Sequence, residues 1–413
     1  MVLRSITIAA TILFIAASSC LQAGELERRQ AKRIHDRLTG EPPPAAVLDA
    51  MEQALIQDPG GHSAAEIAVN EPGFYNVTLK NWVTPWTSEE QDPFSELNDY
   101  TATIIGMVRD DIDFRQVLYG DILYHGASSL GISAYSSSNN AHYRELEALG
   151  PEVADLADET ILVRSSQSAL TGLDPSATAG IMTSRAAAKA FFYLGTNRAM
   201  LRFTLMNHLC TDLEPLKDNS RSPDRVRQDV SRSPGGDSRI YLNSCVGCHA
   251  GMDGLAGAYA YYDLEFNGDK DSDPDTFNNS AQLVYRSGEV SAKHLINANN
   301  FVSGFITVDD GWINYWRNGP NAVLGWRDYS GVLKDARGNS HGNGAKSMGM
   351  ELANSQAFAR CQVKKAFQAV CLRDPDGFTN DRTLVDTITN QFVSNGYRMK
   401  PVFRDVAAYC KGD

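Results

Sequence analysis

Five consecutive residues near the middle of the chain, Cys245-Val246-Gly247-Cys248-His249, have the types and spacing that covalent haem attachment requires. Two thiols one helical turn apart can each add to a vinyl group of a haem, and the adjacent histidine can then bind its iron. We therefore predict that Cys245 and Cys248 bind a haem c and that His249 is the proximal iron ligand. No Ser-His-Asp set, glycine-rich phosphate loop or paired-carboxylate pattern in the 413 residues competes with this motif.

Two other kinds of site use a Cys-x-x-Cys pair. A structural zinc site needs a second pair of ligands at similarly close spacing, but Cys361 and Cys371 are ten residues apart. A thioredoxin-like redox pair needs a βαβ context, which the surrounding sequence lacks. The haem interpretation is therefore favoured, provided that the protein is exported.

The first residues are typical of an export signal. Arg4 precedes an apolar run over residues 6–17, which is too short for a membrane anchor and suits a signal peptide spanning 1–23. Residues 17–20 also resemble a lipoprotein processing site, in which Cys20 would carry the lipid. Both alternatives stay open. They predict a periplasmic protein or one tethered to the outer membrane, with membrane contact only if Cys20 is lipidated.

The remaining cysteines fit an oxidising compartment. Of seven cysteines, the two haem thiols and Cys20 leave Cys210, Cys361, Cys371 and Cys410, which can form two disulfides. One continuous helix would hold Cys361 and Cys371 about 15 Å apart, so these two should not pair with each other. Their pairing with Cys210 and Cys410 stays open.

Composition limits the partners. The chain is 43% hydrophobic and has a formal net charge of −12. This charge argues against nucleic acid as a partner and fits docking to a basic redox partner protein.

Helical periodicity dominates the chain and predicts a mainly α fold. The predicted parts are a helical N-terminal domain (24–217), a polar linker (218–237), a cytochrome c-like haem region (238–347) and a short C-terminal helical module (348–413). The haem-binding helix should begin near Ser238. Within the haem region we predict strands at 282–286 and 301–308, a helix at 309–316 and an irregular loop at 338–344.

The ligand on the distal side of the iron is predicted to be Met348, because small cytochromes supply a methionine from a later loop. Met350, His294 and His341 are alternatives, as is an open distal position. His208 lies in an apolar helical pattern and is expected to be a core histidine.

Similarity to a known protein family extends over several blocks of the chain: residues 31–34, 38–40, Pro42, 248–257, 352–355, 358–361, Lys364, Phe367 and 395–397. Read together, these blocks resemble planctomycete-type cytochrome c domain proteins, which are exported proteins with one covalently bound haem. Gly254 stands where that family usually has proline. The resemblance implies a haem and an exported location.

These observations predict an exported mono-haem c-type cytochrome that transfers electrons. One alternative is a haem enzyme, for example a peroxidase, with an open distal position. Another is a partner-binding protein in which the large helical N-terminal region is the functional part and the haem is accessory. Whether the protein is an enzyme therefore stays open at this point.

Overall fold

The structure is a computed structural model, and it describes residues 24–195, 198–221, 223, 225–226, 236–295 and 305–412. Helices dominate and the strands are few and short, which confirms the predicted mainly α fold class. The predicted signal segment 1–23, with Cys20, lies outside the described residues. So do residues 222, 224 and 227–235 of the predicted linker and residues 301–304 of a predicted strand.

The helices and strands are numbered here in chain order. The α-helices of the described residues are α1 (24–39), α2 (Ala45–Gln57), α3 (His62–Ala68), α4 (Lys80–Val83), α5 (Asp99–Arg109), α6 (Ala141–Ala148), α7 (Gln167–Thr171), α8 (Arg185–Phe191), α9 (Arg198–Leu209), α10 (Ser238–Ile240), α11 (Val246–Ala256), α12 (Pro274–Asn278), α13 (Gly344–Ala353), α14 (Gln356–Cys371), α15 (Thr379–Ser394) and α16 (Met399–Tyr409). The strands are β1 (Leu123–Gly126), β2 (Leu162–Ser165), β3 (Tyr262–Glu265), β4 (Gln282–Tyr285), β5 (Gly311–Asn314), β6 (Leu333–Lys334) and β7 (Ser340–Asn343).

The chain divides into two compact units, each built from separate stretches of sequence. One unit combines the described residues up to Leu79 with Lys364–Ile388 and 399–412. The other comprises Lys80–Val363 and Thr389–Arg398. These boundaries differ from the ranges inferred from sequence, because helices from the two ends of the chain fold into one unit.

In the unit that contains both ends of the described chain, α3 packs against α2 and α16. Helix α16 is amphipathic, and its buried side chains recur at helical spacing. Phe74 contacts Phe403 edge to face, with the ring centroids 5.1 Å apart. A disulfide joins Cys371 to Cys410 and ties α14 to the residue that follows α16. The buried side chains of α16 are Met399, Val402, Phe403, Val406, Ala407 and Ala408.

The other unit surrounds α5, a helix in which every residue is buried. Asn98 caps this helix by accepting a hydrogen bond from the backbone N–H of Thr101. The strands form three small antiparallel sheets, with the orders β1-β2, β3-β4 and β5-β7-β6. The second disulfide, between Cys210 and Cys361, also lies in this unit. Both disulfides agree with the expectation that Cys361 and Cys371 do not pair with each other.

Two local predictions are wrong. Residues 309–316, expected to be a helix, contain β5, and residues 338–344, expected to be an irregular loop, contain β7. The reason is tertiary: Ser340 of β7 and Asn314 of β5 both donate hydrogen bonds to the buried carboxylate of Glu351. These polar contacts replace the alternating apolar residues by which strands are identified in a sequence. The strand predicted at 282–286 is confirmed as β4.

Candidate functional site

The Cys-x-x-Cys-His motif lies where a π-helical turn, Tyr241–Cys245, leads into α11. Helix α10 precedes this turn and begins at Ser238, as predicted. Asp237 caps α10 by accepting a hydrogen bond from the backbone N–H of Arg239. The motif therefore lies on nearly continuous helical backbone, in which its two thiols are about one turn apart.

The two motif cysteines differ from the other described cysteines. Cys245 and Cys248 are free thiols with partly exposed side chains, whereas the other four described cysteines form the two disulfides. Burial raises the pKa of the Cys248 thiol, which lies 3.6 Å from the carbonyl oxygen of Leu213. Cys245 packs against a small buried cluster formed by Val226 and Tyr241.

The segment before the motif packs closely against α11. The backbone N–H of Asp218 donates to the carbonyl oxygen of Gly247 at 3.1 Å. A Cβ atom at Gly247 would lie 2.4 Å from Oδ1 of Asn219 and 2.5 Å from Cγ of Lys217. The first residues of the predicted linker are therefore held against the motif, and glycine at position 247 allows this approach.

A buried carboxylate orients the motif histidine. Nδ1 of His249 lies 3.1 Å from Oδ1 and 3.2 Å from Oδ2 of Asp253, one helical turn later. Since an ionised carboxylate only accepts hydrogen bonds, Nδ1 carries the proton and Nε2 keeps the lone pair that a metal needs. The side chain of His249 is 20% exposed, whereas that of Asp253 is fully buried.

Arg198 keeps this carboxylate ionised. Its Nε donates to Oδ1 of Asp253 at 2.8 Å. Burial by itself would raise the pKa of Asp253, but the charge of Arg198 and the hydrogen bond from His249 outweigh burial. The pKa of Asp253 therefore lies well below its usual value, and the carboxylate stays charged at neutral pH.

Glycines on α11 let the helix backbone approach its neighbours. A Cβ atom at Gly251 would lie 2.2 Å from Nε1 of Trp316, and one at Gly254 would lie 2.8 Å from the carbonyl oxygen of Ile313. Proline also carries a Cβ atom and would meet the same contact at position 254. Asp253 orients His249.

Apolar side chains flank the motif. Ile240 and Leu242, on either side of the buried Tyr241, are 47% and 58% exposed. The ring of Tyr241 lies 6.0 Å from that of His249, centroid to centroid. Exposed apolar side chains beside two free thiols and an oriented imidazole fit the needs of a covalently bound haem, whose macrocycle is apolar and whose iron binds a neutral imidazole nitrogen.

The candidate distal ligands lie in different environments. Met348 is completely buried in α13, and Met350, two residues later, is half-buried. His294 is buried in the turn Ala292–Leu295, and His341 is half-buried in β7, where it pairs with Ile313 and Leu333. The choice of distal ligand stays a prediction.

His208 is in the environment expected for a core histidine. It is completely buried, and its Nε2 lies 2.9 Å from the hydroxyl oxygen of Tyr100.

Sequence reasoning missed the two residues that orient His249. Asp253 could have been found, because residues four apart on a helix are neighbours on its surface. Arg198 could not have been found, because it comes from α9 and only the packing of α9 against α11 brings it to Asp253.

Over the described part of the chain, no cluster of three or more His, Cys, Asp or Glu side chains is arranged to hold a metal ion. No helix there is long and apolar enough to cross a membrane. Among known proteins, no family model matches the chain, and neither a curated protein nor a solved structure is significantly similar to it. The resemblance to planctomycete-type cytochrome c domain proteins therefore rests on the residues that carry it.

Proposed function

We propose that this protein is an exported mono-haem c-type cytochrome that transfers electrons. Cys245 and Cys248 would hold the haem covalently, and His249 would bind its iron. The observation that carries the proposal is the division of the described cysteines: four form disulfides, and the two left as thiols are the pair next to an oriented histidine. A relationship to planctomycete-type cytochrome c domain proteins is part of this proposal.

Export is supported by two independent features. Residues 6–17 have the length and apolar character of a signal sequence. The two disulfides, Cys210–Cys361 and Cys371–Cys410, are typical of an oxidising compartment, the kind in which c-type cytochromes mature. A lipid on Cys20 would tether the protein to a membrane, and cleavage after residue 23 would release it.

When bound, a haem c supplies an iron that accepts and releases one electron. The residues of this chain control the environment of that iron. Asp253 keeps the proton on Nδ1 of His249 and makes Nε2 a stronger electron-pair donor to the iron. Arg198 neutralises part of the Asp253 charge and thereby limits the increase in electron donation. The net charge of −12 favours a basic protein as redox partner.

A haem enzyme with an open distal position is the second candidate. It is favoured by the buried ionised Asp253, because a carboxylate hydrogen-bonded to a proximal histidine strengthens electron donation to a metal. The complete burial of Met348 in α13 also favours it, since that thioether is already packed in the protein core.

The test is to produce the full-length chain in a bacterial host that matures c-type cytochromes, and to record the pyridine haemochrome spectrum of the purified protein. We expect one haem c per chain. The double variant Cys245→Ser/Cys248→Ser should lose the covalent haem. His249→Ala should change the absorption spectrum of the protein before pyridine is added. His62→Ala is the matched control, because His62 is exposed and distant in sequence from the motif; it should keep both properties. A chain that takes up no haem c under these conditions would disprove the proposal.

The same preparation separates the two candidates. An electron carrier with two axial ligands should keep a low-spin spectrum in both oxidation states and should not bind carbon monoxide readily. Rapid binding of carbon monoxide by the reduced protein, together with a high-spin oxidised spectrum, would instead identify an open distal position and support the enzyme.

A further inference from the structure

A second site lies away from the haem motif, in the unit formed by Lys80–Val363 and Thr389–Arg398. It is a cavity of about 280 Å³, close to the small end of the range for ligand pockets. Three cationic side chains line it: Arg185 and Lys189 from α8, and Lys270. Its other lining residues include Glu89, Glu90, Glu96 and Asn140.

The three cations share an uncommon property. Among the described residues, none of them forms an ion pair, unlike Arg198 with Asp253 or Arg317 with Glu351. Lys189 and Lys270 instead lie near aromatic rings: their ammonium nitrogens are 5.8 Å and 5.7 Å from the ring centroids of Phe277 and Tyr193. Buried cations are normally paired, so this cavity contains positive charge without a direct ion-pair partner among the described residues.

Arg185 is the most buried of the three, with 6% of its surface exposed. One terminal nitrogen, Nη2, donates to Oδ1 of Asn140 at 2.6 Å, which fixes the guanidinium in place. Its Nε is buried and has no hydrogen-bond partner among the described residues. An unsatisfied donor on a buried guanidinium costs folding free energy, so its retention beside a cavity indicates a ligand.

The pKa of Lys189 reflects its burial and the positive charges beside it. Burial, followed by repulsion from Arg185 and Lys270, lowers the pKa of Lys189 to about 8. Glu96 acts in the opposite direction but does not restore the usual value. An anion placed at the ammonium group would remove this repulsion.

The carboxylates of the cavity are its more exposed charged groups. Glu89, Glu90 and Glu96 are exposed, whereas Arg185 is buried and Lys189 is half-buried. The three carboxylates would repel a dianion such as phosphate strongly, whereas they would repel a single carboxylate on a small molecule less.

We propose that this cavity binds the carboxylate group of a small organic ligand. Lys189 and Lys270 would contact the carboxylate, and Arg185, held by Asn140, would supply fixed positive charge beneath it. The cavity volume limits the ligand to the size of a small metabolite. This binding site does not depend on the haem, so it can be tested independently of the function proposed above.

The test measures how fast an amine-reactive reagent modifies Lys189 in the full chain, followed by mass spectrometry. Acetate and propionate, each with a single carboxylate, are the probes, chloride at equal ionic strength is the control, and Lys32 is the internal reference because it is exposed and paired with Asp36. We expect both carboxylates to slow modification of Lys189 several-fold relative to chloride, with Lys32 unaffected. Equal rates in carboxylate and chloride would overturn the proposal. Inorganic phosphate that protects better than either probe would also overturn it.

A variant gives the second readout. Lys189→Met keeps the length of the side chain and removes its charge, and Lys32→Met is the matched control. Calorimetry with propionate should show an affinity about tenfold or more lower for Lys189→Met, as expected for a lost charge-assisted contact, and an unchanged affinity for Lys32→Met. Equal affinities for Lys189→Met and the wild-type chain would contradict the proposed contact, whatever the stability of the variant.

Discussion

Helices α11 and α13 both use glycine to approach neighbouring backbone, yet they place their candidate iron ligands in different surroundings. On α11, glycines at 251 and 254 pack against Trp316 and Ile313. His249 on the same helix keeps 20% of its side chain exposed. On α13, a Cβ atom at Gly349 would lie 1.8 Å from the carbonyl oxygen of Leu118, and the adjacent Met348 has no exposed surface.

The difference shows what close packing does to a side chain with metal-binding chemistry. In α11 the glycines bury one part of the helix and leave the motif histidine accessible, with its tautomer fixed by Asp253. In α13 the packing encloses the methionine itself. The candidate proximal ligand His249 is therefore already partly exposed, whereas the candidate distal ligand Met348 is enclosed by the protein.

The largest expected effect concerns the close approach of α13. Gly349→Ala places a Cβ atom against the backbone carbonyl of Leu118, which cannot rotate away, so we expect destabilisation at or above about 3 kcal/mol. Gly247→Ala is the matched change on α11: its Cβ meets side chains of Lys217 and Asn219 that can move, and alanine favours the helix. Its effect should stay below about 1 kcal/mol. Chemical denaturation of both variants measures the difference, and equal losses would contradict this view of the two helices.

The next largest loss of stability is expected for a change at Asp253. Asp253→Asn removes the buried charge that pairs with Arg198, for which we expect a loss near the lower end of about 3–5 kcal/mol. It also weakens the hydrogen bond to Nδ1 of His249, so the reduction potential of a bound haem should rise. Potentiometry of the haem-loaded variant, with Asp49→Asn as a control for an exposed ion pair, checks this. An unchanged potential would show that Asp253 has only a structural role.

The lowered pKa of Asp253 also predicts how the free energy of unfolding depends on pH. Its folded-state pKa lies below the unfolded value, so its contribution to stability is fully present above about pH 4 and is lost as the pH falls through the folded-state pKa. The difference in unfolding free energy between the wild-type chain and Asp253→Asn should therefore shrink as the pH falls below about 4. A difference that grows on acidification would have the wrong sign for an ionised, stabilising carboxylate.

The smallest change in stability is expected for Met348→Leu, whose absorption spectrum also tests whether Met348 is the distal ligand. Met348→Leu keeps the volume of the side chain and removes the sulfur, so it should cost less than about 1.5 kcal/mol. If Met348 is the distal ligand, the variant loses the absorption band of methionine-bound iron. Its complete burial in α13 favours an unchanged spectrum, which would assign the thioether to the core. Met350→Leu, two residues away and half-buried, is the matched control.

Much of the fold was predictable from local pattern. The helices α1, α2, α9, α15 and α16 follow apolar spacing and turn residues that can be identified in the sequence. The strands β5 and β7 were not predictable, because polar contacts of Asn314 and Ser340 with Glu351 hold them in place. The start of the predicted C-terminal helical module (348–413) falls within α13, and Asn354 and Ser355 separate this helix from α14.

The sequence alone determined which chemistry we propose for the candidate site, because covalent haem attachment needs two thiols and a histidine at fixed local spacing, as in Cys245, Cys248 and His249. Tertiary structure decided which groups act on these residues. Arg198 reaches Asp253 only through the packing of α9 on α11, and the cations Arg185 and Lys270 come together only at a cavity. Contacts between residues distant in sequence have no local pattern, so folding alone establishes them.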